Sequence, residues 1–242
     1  MSLNAIVTGA SRGLGRALAV ELARAGAKVV LVARESEALR EALAEAVAAA
    51  RGARGEAHAV AADLGDKEAV HRIAGAAAAL IGPIELVVHN ASTLGPTPLP
   101  LLLDTECEDF ERVLQVNVLG PFRLSKAIAG GMALRGRGTI VHISSDAATS
   151  AYPRWGAYGV SKAALDHLGR SWAAELGSLG VSVLNVDPGE MDTEMHAAAI
   201  PDADRGTLQD PRAVARRLVA LVLEPRFENG SRVSINVAAG SP

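Results

Sequence analysis

Ala5-Ile6-Val7-Thr8-Gly9-Ala10-Ser11-Arg12-Gly13-Leu14-Gly15-Arg16 is the stretch on which the fold turns. A short apolar run stops at Thr8, a glycine-rich loop follows, and an Ala/Leu-rich segment with helical spacing continues to Arg24. Strand, tight turn, helix is therefore the first unit. Glycines here let the backbone turn sharply and let a pyrophosphate approach the amides at the helix start. The spacing G-x-x-x-G-x-G differs from the G-x-G-x-x-G dinucleotide pattern and lacks the lysine of a P-loop. On glycines alone, a ligand-free strand–helix turn is an equal reading.

The same alternation repeats outward along the chain. Strands are expected at 28–32, 57–61, 84–88, 139–143, 181–186 and 232–237, and helices at 15–24, 36–50, 67–80, 109–134, 158–179 and 211–223. Runs such as Val29-Val30-Leu31-Val32 are continuously apolar, which indicates burial on both faces of a sheet. Strand–helix alternation then predicts parallel strands joined by right-handed crossovers. The expected fold is α/β, a doubly wound parallel sheet (Rossmann fold) of about seven strands with helices on both faces. No repeat or composition break divides the chain, so 1–242 reads as one domain, with its ligand crevice at the carboxyl ends of the strands.

At 242 residues, 49% hydrophobic and 21% charged, the chain can bury a full core and is not of disordered type. A net charge of −3 gives no support to nucleic-acid binding. Its one cysteine, Cys107, forms no internal disulfide and reads as an inert thiol. The first apolar run, Leu3–Val7, is too short for a signal-peptide core, and no later run reaches membrane-spanning length. A cytoplasmic location without membrane contact is expected, and Asn90-Ala91-Ser92 is an accidental sequon match. Asp192, Glu194 and His196 read as a solvated loop face rather than metal ligands, so no metal is expected.

Two constellations suggest chemistry. Gly9-x-Ser11-x-Gly13 fits the nucleophile elbow of an α/β-hydrolase, a catalytic alternative in which Asp187 or Asp192 and His196 complete the site. Against it, an oxyanion-hole loop from an earlier strand is missing from the sequence. Tyr158-x-x-x-Lys162 places a phenol and an ammonium on one face at the start of a helix. A free tyrosine ionises near pH ~10, and a neighbouring ammonium favours the phenolate. An exposed Tyr–Lys helix pair is the bland reading of the same spacing.

Thr8-Gly9-x-x-x-Gly13-x-Gly15, Asp63, Asn90-Ala91, Asn117, Ser145, Tyr158-x-x-x-Lys162 and Pro188-Gly189, taken in order, resemble the short-chain dehydrogenase/reductase family over nearly the whole chain. The resemblance implies a catalytic set of Asn117, Ser145, Tyr158 and Lys162. Tyr158 would exchange a proton with a small carbonyl or alcohol substrate. Ser145, rather than Ser144, would hydrogen-bond the same oxygen. Lys162 would hold the nicotinamide ribose, and Asn117 would bind water that links Lys162 to solvent.

The resemblance also implies cofactor contacts from Gly9, Ser11, Arg12, Gly13, Leu14, Gly15, Arg34, Asp63, Leu64, Asn90, Ala91, Ser92, Tyr158, Lys162, Pro188, Gly189, Met191 and Thr193. The second strand ends in Ala33-Arg34, with no carboxylate before Glu35. With Arg12, that pattern implies NADP(H) as cofactor, because a guanidinium can bind a 2′-phosphate that a carboxylate would repel. Residues 190–210 occupy the place of the family's substrate loop. Homodimers or homotetramers built on the two long helices are implied, with Ala163, Ala164, Ala173, Ala174 and Gly177 allowing close approach.

Two positions depart from the family pattern. Asn-Asn-Ala-Gly reads His89-Asn90-Ala91-Ser92, and the asparagine two places before the serine pair is His142. Ala62-Asp63-Leu64-Gly65 and Pro188–Met195 also resemble sepiapterin reductases locally, while 3-oxoacyl reductases and small-ketone reductases remain open. A non-catalytic dinucleotide-binding sensor is a further alternative, though it has no need of the Ser145–Tyr158–Lys162 set.

Overall fold

The computed structural model describes residues 3–224 and 226–235. Among the described residues, seven strands, β1 (Asn4–Thr8), β2 (Lys28–Ala33), β3 (Glu56–Ala61), β4 (Leu86–His89), β5 (Gly138–Ile143), β6 (Val181–Asp187) and β7 (Arg232–Ser234), form one sheet in the order β3-β2-β1-β4-β5-β6-β7. Every pairing is parallel. The strand order reverses between β1 and β4, and an open α/β sheet has its ligand crevice at such a point.

The described residues form eight α-helices: α1 (Gly13–Arg24), α2 (Glu37–Ala50), α3 (Ala69–Ile81), α4 (Cys107–Leu114), α5 (Gly120–Leu134), α6 (Gly156–Leu176), α7 (Glu194–Ala199) and α8 (Pro211–Leu223). Alternate side chains of β1 go to opposite cores. Ala5 and Val7 pack with Leu18 and Leu22 of α1, Leu39 of α2 and Leu218 of α8. Ile6 packs with Ile73 of α3 and with Leu124 and Met132 of α5, and Trp172 and Leu176 of α6 lie against this second core. The inner strands are therefore buried on both sides, as their continuous apolar runs require. β3, at the sheet edge, is only half-buried.

Caps fix where the helices begin. Ser36 Oγ accepts the Leu39 amide at 3.2 Å before α2, and Asp210 Oδ1 accepts the Arg212 amide at 2.9 Å before α8, where Pro211 suits the first turn. The helix expected over 109–134 is a single run, but a π turn at Gln115–Leu119 interrupts it. The helix expected over 158–179 starts at Gly156, and its last three residues tighten into a 3₁₀ turn ending at left-handed Gly180, φ 78°. The last expected strand, 232–237, is seen over Arg232–Ser234, and Asn236 and Val237 lie outside the described residues. Among the described residues, no helix is long and apolar enough to cross a membrane.

Candidate active site

The carboxyl ends of β1, β4, β5 and β6 open onto a cleft of about 1620 Å³. Its floor at the switch point is the glycine loop. Gly9 has φ 65°, and a Cβ there would lie 2.7 Å from Ala91 Cα. A Cβ on Gly15 would collide with the Gly9 carbonyl, and Gly13, at φ 52°, lies under Thr193. Asn90 sews the loop to β4: its Nδ2 donates to the carbonyls of Thr8 at 3.0 Å and Gly9 at 3.2 Å. Thr8 Oγ1 accepts the amides of Asn90 and Ala91 at 3.0 and 3.1 Å. The result is a cradle that only glycine backbone leaves open, beside the start of α1, and it fits a dinucleotide pyrophosphate. Ser11, Leu14 and Leu64 all line this cleft, the two leucines nearly buried.

At the far end of the cleft, Arg34 is exposed beyond β2, close enough to Asp63 to favour its charged form. Burial works against the Asp63 carboxylate. The Gly65 amide at 2.8 Å and Arg112 Nη2 at 2.6 Å nevertheless hold its pKa below the usual value. Arg112, on α4, carried no signal in the sequence. Arg12 is paired with Glu194 of α7, which ties the glycine loop to the 190–210 segment.

The catalytic candidates meet where β5 ends against α6. Tyr158 is 8% exposed, packed edge-on against Trp155 and clustered with Leu94, Leu99 and Ala147, with Ala199 laid over the group. Lys162 is 2% exposed, with its Nζ 5.3 Å from the centre of the Tyr158 ring. Nζ donates to the Ile143 carbonyl at 2.8 Å. Burial lowers the Lys162 pKa to about 8, opposed by Asp166 one turn further along α6. Ser145 Oγ donates to Asp146 Oδ1 at 2.9 Å and accepts the Ala147 amide at 3.2 Å.

Burial, rather than the ammonium expected from sequence, dominates the Tyr158 phenol and raises its pKa well above the free value. Asp146 and Asp187 add to the rise, and the facing hydroxyls of Ser145 and Ser92 work against it. Ser92 Oγ is itself buried and makes no well-aligned hydrogen bond.

Asn117 sits in the π turn, and its side chain bridges two other elements. Nδ2 donates to the Thr93 carbonyl and to Ser161 Oγ, each at 2.9 Å, while Oδ1 accepts the Thr93 amide at 2.8 Å. The amide is thus neither locally bonded in its own helix nor aimed at Lys162. A π turn adds a residue to the helix and re-aims its side chains, and such turns recur at functional sites.

Pro188 and Gly189 follow β6. The Gly189 amide donates to Asp187 Oδ1 at 3.0 Å, and the Pro188 carbonyl accepts Gln209 Nε2 at 3.0 Å. Met191 bridges Gln209, and Thr193 Oγ1 caps α7. These contacts bend the 190–210 segment back over Tyr158. The carboxylates needed by a Ser11 hydrolase are committed elsewhere. Asp192 binds Arg205 at 2.6 Å, Asp187 binds Arg232 at 2.9 Å, and His196 lies 3.7 Å from Glu190.

His89 and His142 are cross-strand partners with rings 5.3 Å apart, and both are buried. His89 Nε2 shares a 2.8 Å hydrogen bond with Ser125 Oγ, and His142 Nδ1 one of 3.1 Å with Asn185 Oδ1. Burial lowers both pKa values, that of His142 to about 4. The two histidines that depart from the family pattern are therefore one structural unit beneath the site, whereas Ser92, the other departure, lines the cleft and faces Tyr158.

Comparison with known proteins agrees with this architecture. The family model described as "short chain dehydrogenase" matches residues 3–204. A "Short-chain type dehydrogenase/reductase" of Picea abies is 35% identical over 202 residues, 82% of this chain and 74% of that protein. A metagenomic short-chain oxidoreductase solved in complex with NADP has 33% identity and a TM-score of 0.81, covering 97% of both chains. An NAD+-bound xylitol dehydrogenase has 27% identity and a TM-score of 0.83, covering 96% of both chains.

Proposed function

The chain belongs to the short-chain dehydrogenase/reductase family, and from that premise we propose that it is an NADP(H)-dependent reductase of small aldehydes or ketones. The observation that carries the reading is the buried Tyr158 phenol, flanked by Ser145 and Lys162, at the inner end of a cleft whose outer end bears Arg34. A bound nicotinamide would supply the hydride. The glycine loop, Asn90, Ala91 and Ser92 would lie along the cofactor, with Asp63 at the adenine and Pro188, Gly189, Met191 and Thr193 at the carboxamide. Arg34 is the first candidate for a 2′-phosphate. Arg12 would have to exchange its pairing with Glu194 to join it.

The chain's own groups divide the proton work. A substrate oxygen between Ser145 and Tyr158 would receive one hydrogen bond from each hydroxyl. The raised pKa keeps the Tyr158 proton in place at neutral pH, so that the phenol acts as donor in the reductive direction. Lys162, still largely charged at pH 7, stabilises the phenolate that remains. Asn117 supports this from behind by fixing Thr93 and Ser161.

Association into dimers or tetramers through the α4–α5 run and α6 belongs to the same reading. Val160, Ala163 and Ala174 lie on the exposed side of α6 and would take part. Ala173 and Gly177 instead face this chain's own Asn229. Light scattering at micromolar concentration should show the assembly, and a monomer would count against it.

The direct test of function is NADPH oxidation by the purified protein across a panel of aldehydes, ketones and pterins. Turnover with one class, and a melting temperature raised by NADPH, is expected. A protein inert to the whole panel and unshifted by NADPH is not a reductase.

A further inference from the structure

The last strand contributes a side chain to the catalytic region that the family reading leaves unassigned. Arg232 of β7 reaches under the ends of β5 and β6. Its Nη2 donates to the Ser145 carbonyl at 2.8 Å and to Asp187 Oδ2 at 2.9 Å. Its Nε donates to Asp166 Oδ2 at 3.1 Å. Both carboxylates are nearly buried, with side chains 5% and 11% exposed. One guanidinium thus joins three structures: the segment carrying Ser145, the strand end that leads into Pro188-Gly189, and the helix carrying Tyr158 and Lys162. A guanidinium presents these donors in a fixed planar fork, which the flexible ammonium of a lysine does not.

Charge makes the contact more than a brace. Asp166 stands one helical turn from Lys162, and Asp187 faces Tyr158 together with Asp146. Ser144, Arg232, Arg170 and Lys162 are the groups that favour the Asp166 anion, against its burial. His142 of β5 also faces Lys162 but is neutral near pH 8. Without Arg232, two buried carboxylates next to the catalytic pair would lose their shared cation, a costly arrangement in a low-dielectric interior.

We infer that Arg232 is a positioning residue of the reaction: it registers Ser145 and the Pro188-Gly189 turn against α6, and it shares the charge of Asp166 and Asp187 so that the Lys162 ammonium serves Tyr158. The inference rests on the proposed roles of Tyr158 and Lys162, but it has a readout that needs no turnover. The chain has four lysines, Lys28, Lys67, Lys126 and Lys162, so side-chain-labelled lysine gives few NMR signals. Lys162 is identified as the signal lost in Lys162→Met.

In the parent protein the Lys162 signal should titrate near pH 8. Arg232→Met should move that midpoint up by about 1 pH unit, because Asp166 then loses its hydrogen-bonded cation and keeps only Arg170 and Lys162. Asp166→Asn, which removes the anion, should move it down. Opposite shifts in the two variants are what a merely structural Arg232 would not produce. A midpoint unchanged in Arg232→Met, or shifts of the same sign in both, would overturn the inference. Should Arg232→Met fail to fold, Arg232→Lys and Asp166→Asn decide. The lysine variant should keep the midpoint near the parent's while lowering kcat at least tenfold, and parental kcat there refutes the positioning role. A panel without any turnover but with the NMR shifts intact would instead refute the reductase reading alone.

Discussion

The two ends of the cleft are built on opposite plans. At the Tyr158 end Tyr158, Lys162 and Asn117 are buried, Ser145 is half-buried, and neighbouring groups hold them: Lys162 by the Ile143 carbonyl, Asn117 by Thr93 and Ser161, and the Ser145 backbone by Arg232. At the Arg34 end the proposed selectivity rests on exposed arginines, one already paired with Glu194 and the other beside Asp63. Proton transfer needs groups placed within fractions of an ångström, and burial with redundant hydrogen bonds provides that. Recognition of a phosphate needs a charge that can reach it, and a single solvated guanidinium suffices.

The sharpest way to break the buried end is Lys162→Ala. Two roles are assigned to this residue, so both kcat and NADPH affinity should fall by at least about tenfold, read by steady-state kinetics and calorimetry. A fall in one alone would detach Lys162 from either Tyr158 or the ribose. At the exposed end, Arg34→Ala should weaken NADPH binding by roughly 1.5–3 kcal/mol and NADH binding far less, as expected for a lost hydrogen bond to a charged group. Equal kcat/KM for the two cofactors in the parent protein would dismiss the selectivity assigned to this loop.

The histidine pair beneath the buried end gives a third effect. His142 has its folded-state pKa lowered to about 4, so the unfolded chain takes up its proton first as pH falls. Stability should therefore be full above pH ~6.5 and should drain away toward pH ~4, by about 2 kcal/mol at pH 5 from His142. Burial gives His89 the same sign. Urea melts of the parent and of His142→Asn should show a flatter acid limb in the variant, and superimposable limbs would mean that the imidazole is not what titrates. The smallest effect lies far from the cleft: Ser36→Ala should cost about 1 kcal/mol through the lost cap of α2, with kinetics unchanged.

Most of the framework was legible because its signals are local. Glycines after β1, apolar strands and Ala-rich helices each announce themselves within a dozen residues, and the order of the motifs placed Ser145, Tyr158 and Lys162 together. The partners that tune those groups were not legible. Arg112 on Asp63, Glu194 on Arg12 and Arg232 on Asp166 are bridged across 49, 182 and 66 residues, and no local spacing marks them. The π turn was hidden for a different reason, since one extra residue in a helix leaves the surrounding periodicity almost intact. His89 and His142 were seen singly as departures. Only the register of β4 with β5 makes them a pair.

Replacement of Tyr158 by phenylalanine addresses the central claim most directly, because the ring keeps its packing against Trp155 and loses only the hydroxyl. Turnover and NADPH-induced thermal stabilisation should be measured on the same preparation, using whichever carbonyl the parent reduces. The account predicts a fall in kcat of about 10²–10⁴-fold, the usual contribution of general acid catalysis, with the NADPH-induced rise in melting temperature preserved. Near-parental kcat in Tyr158→Phe would contradict it.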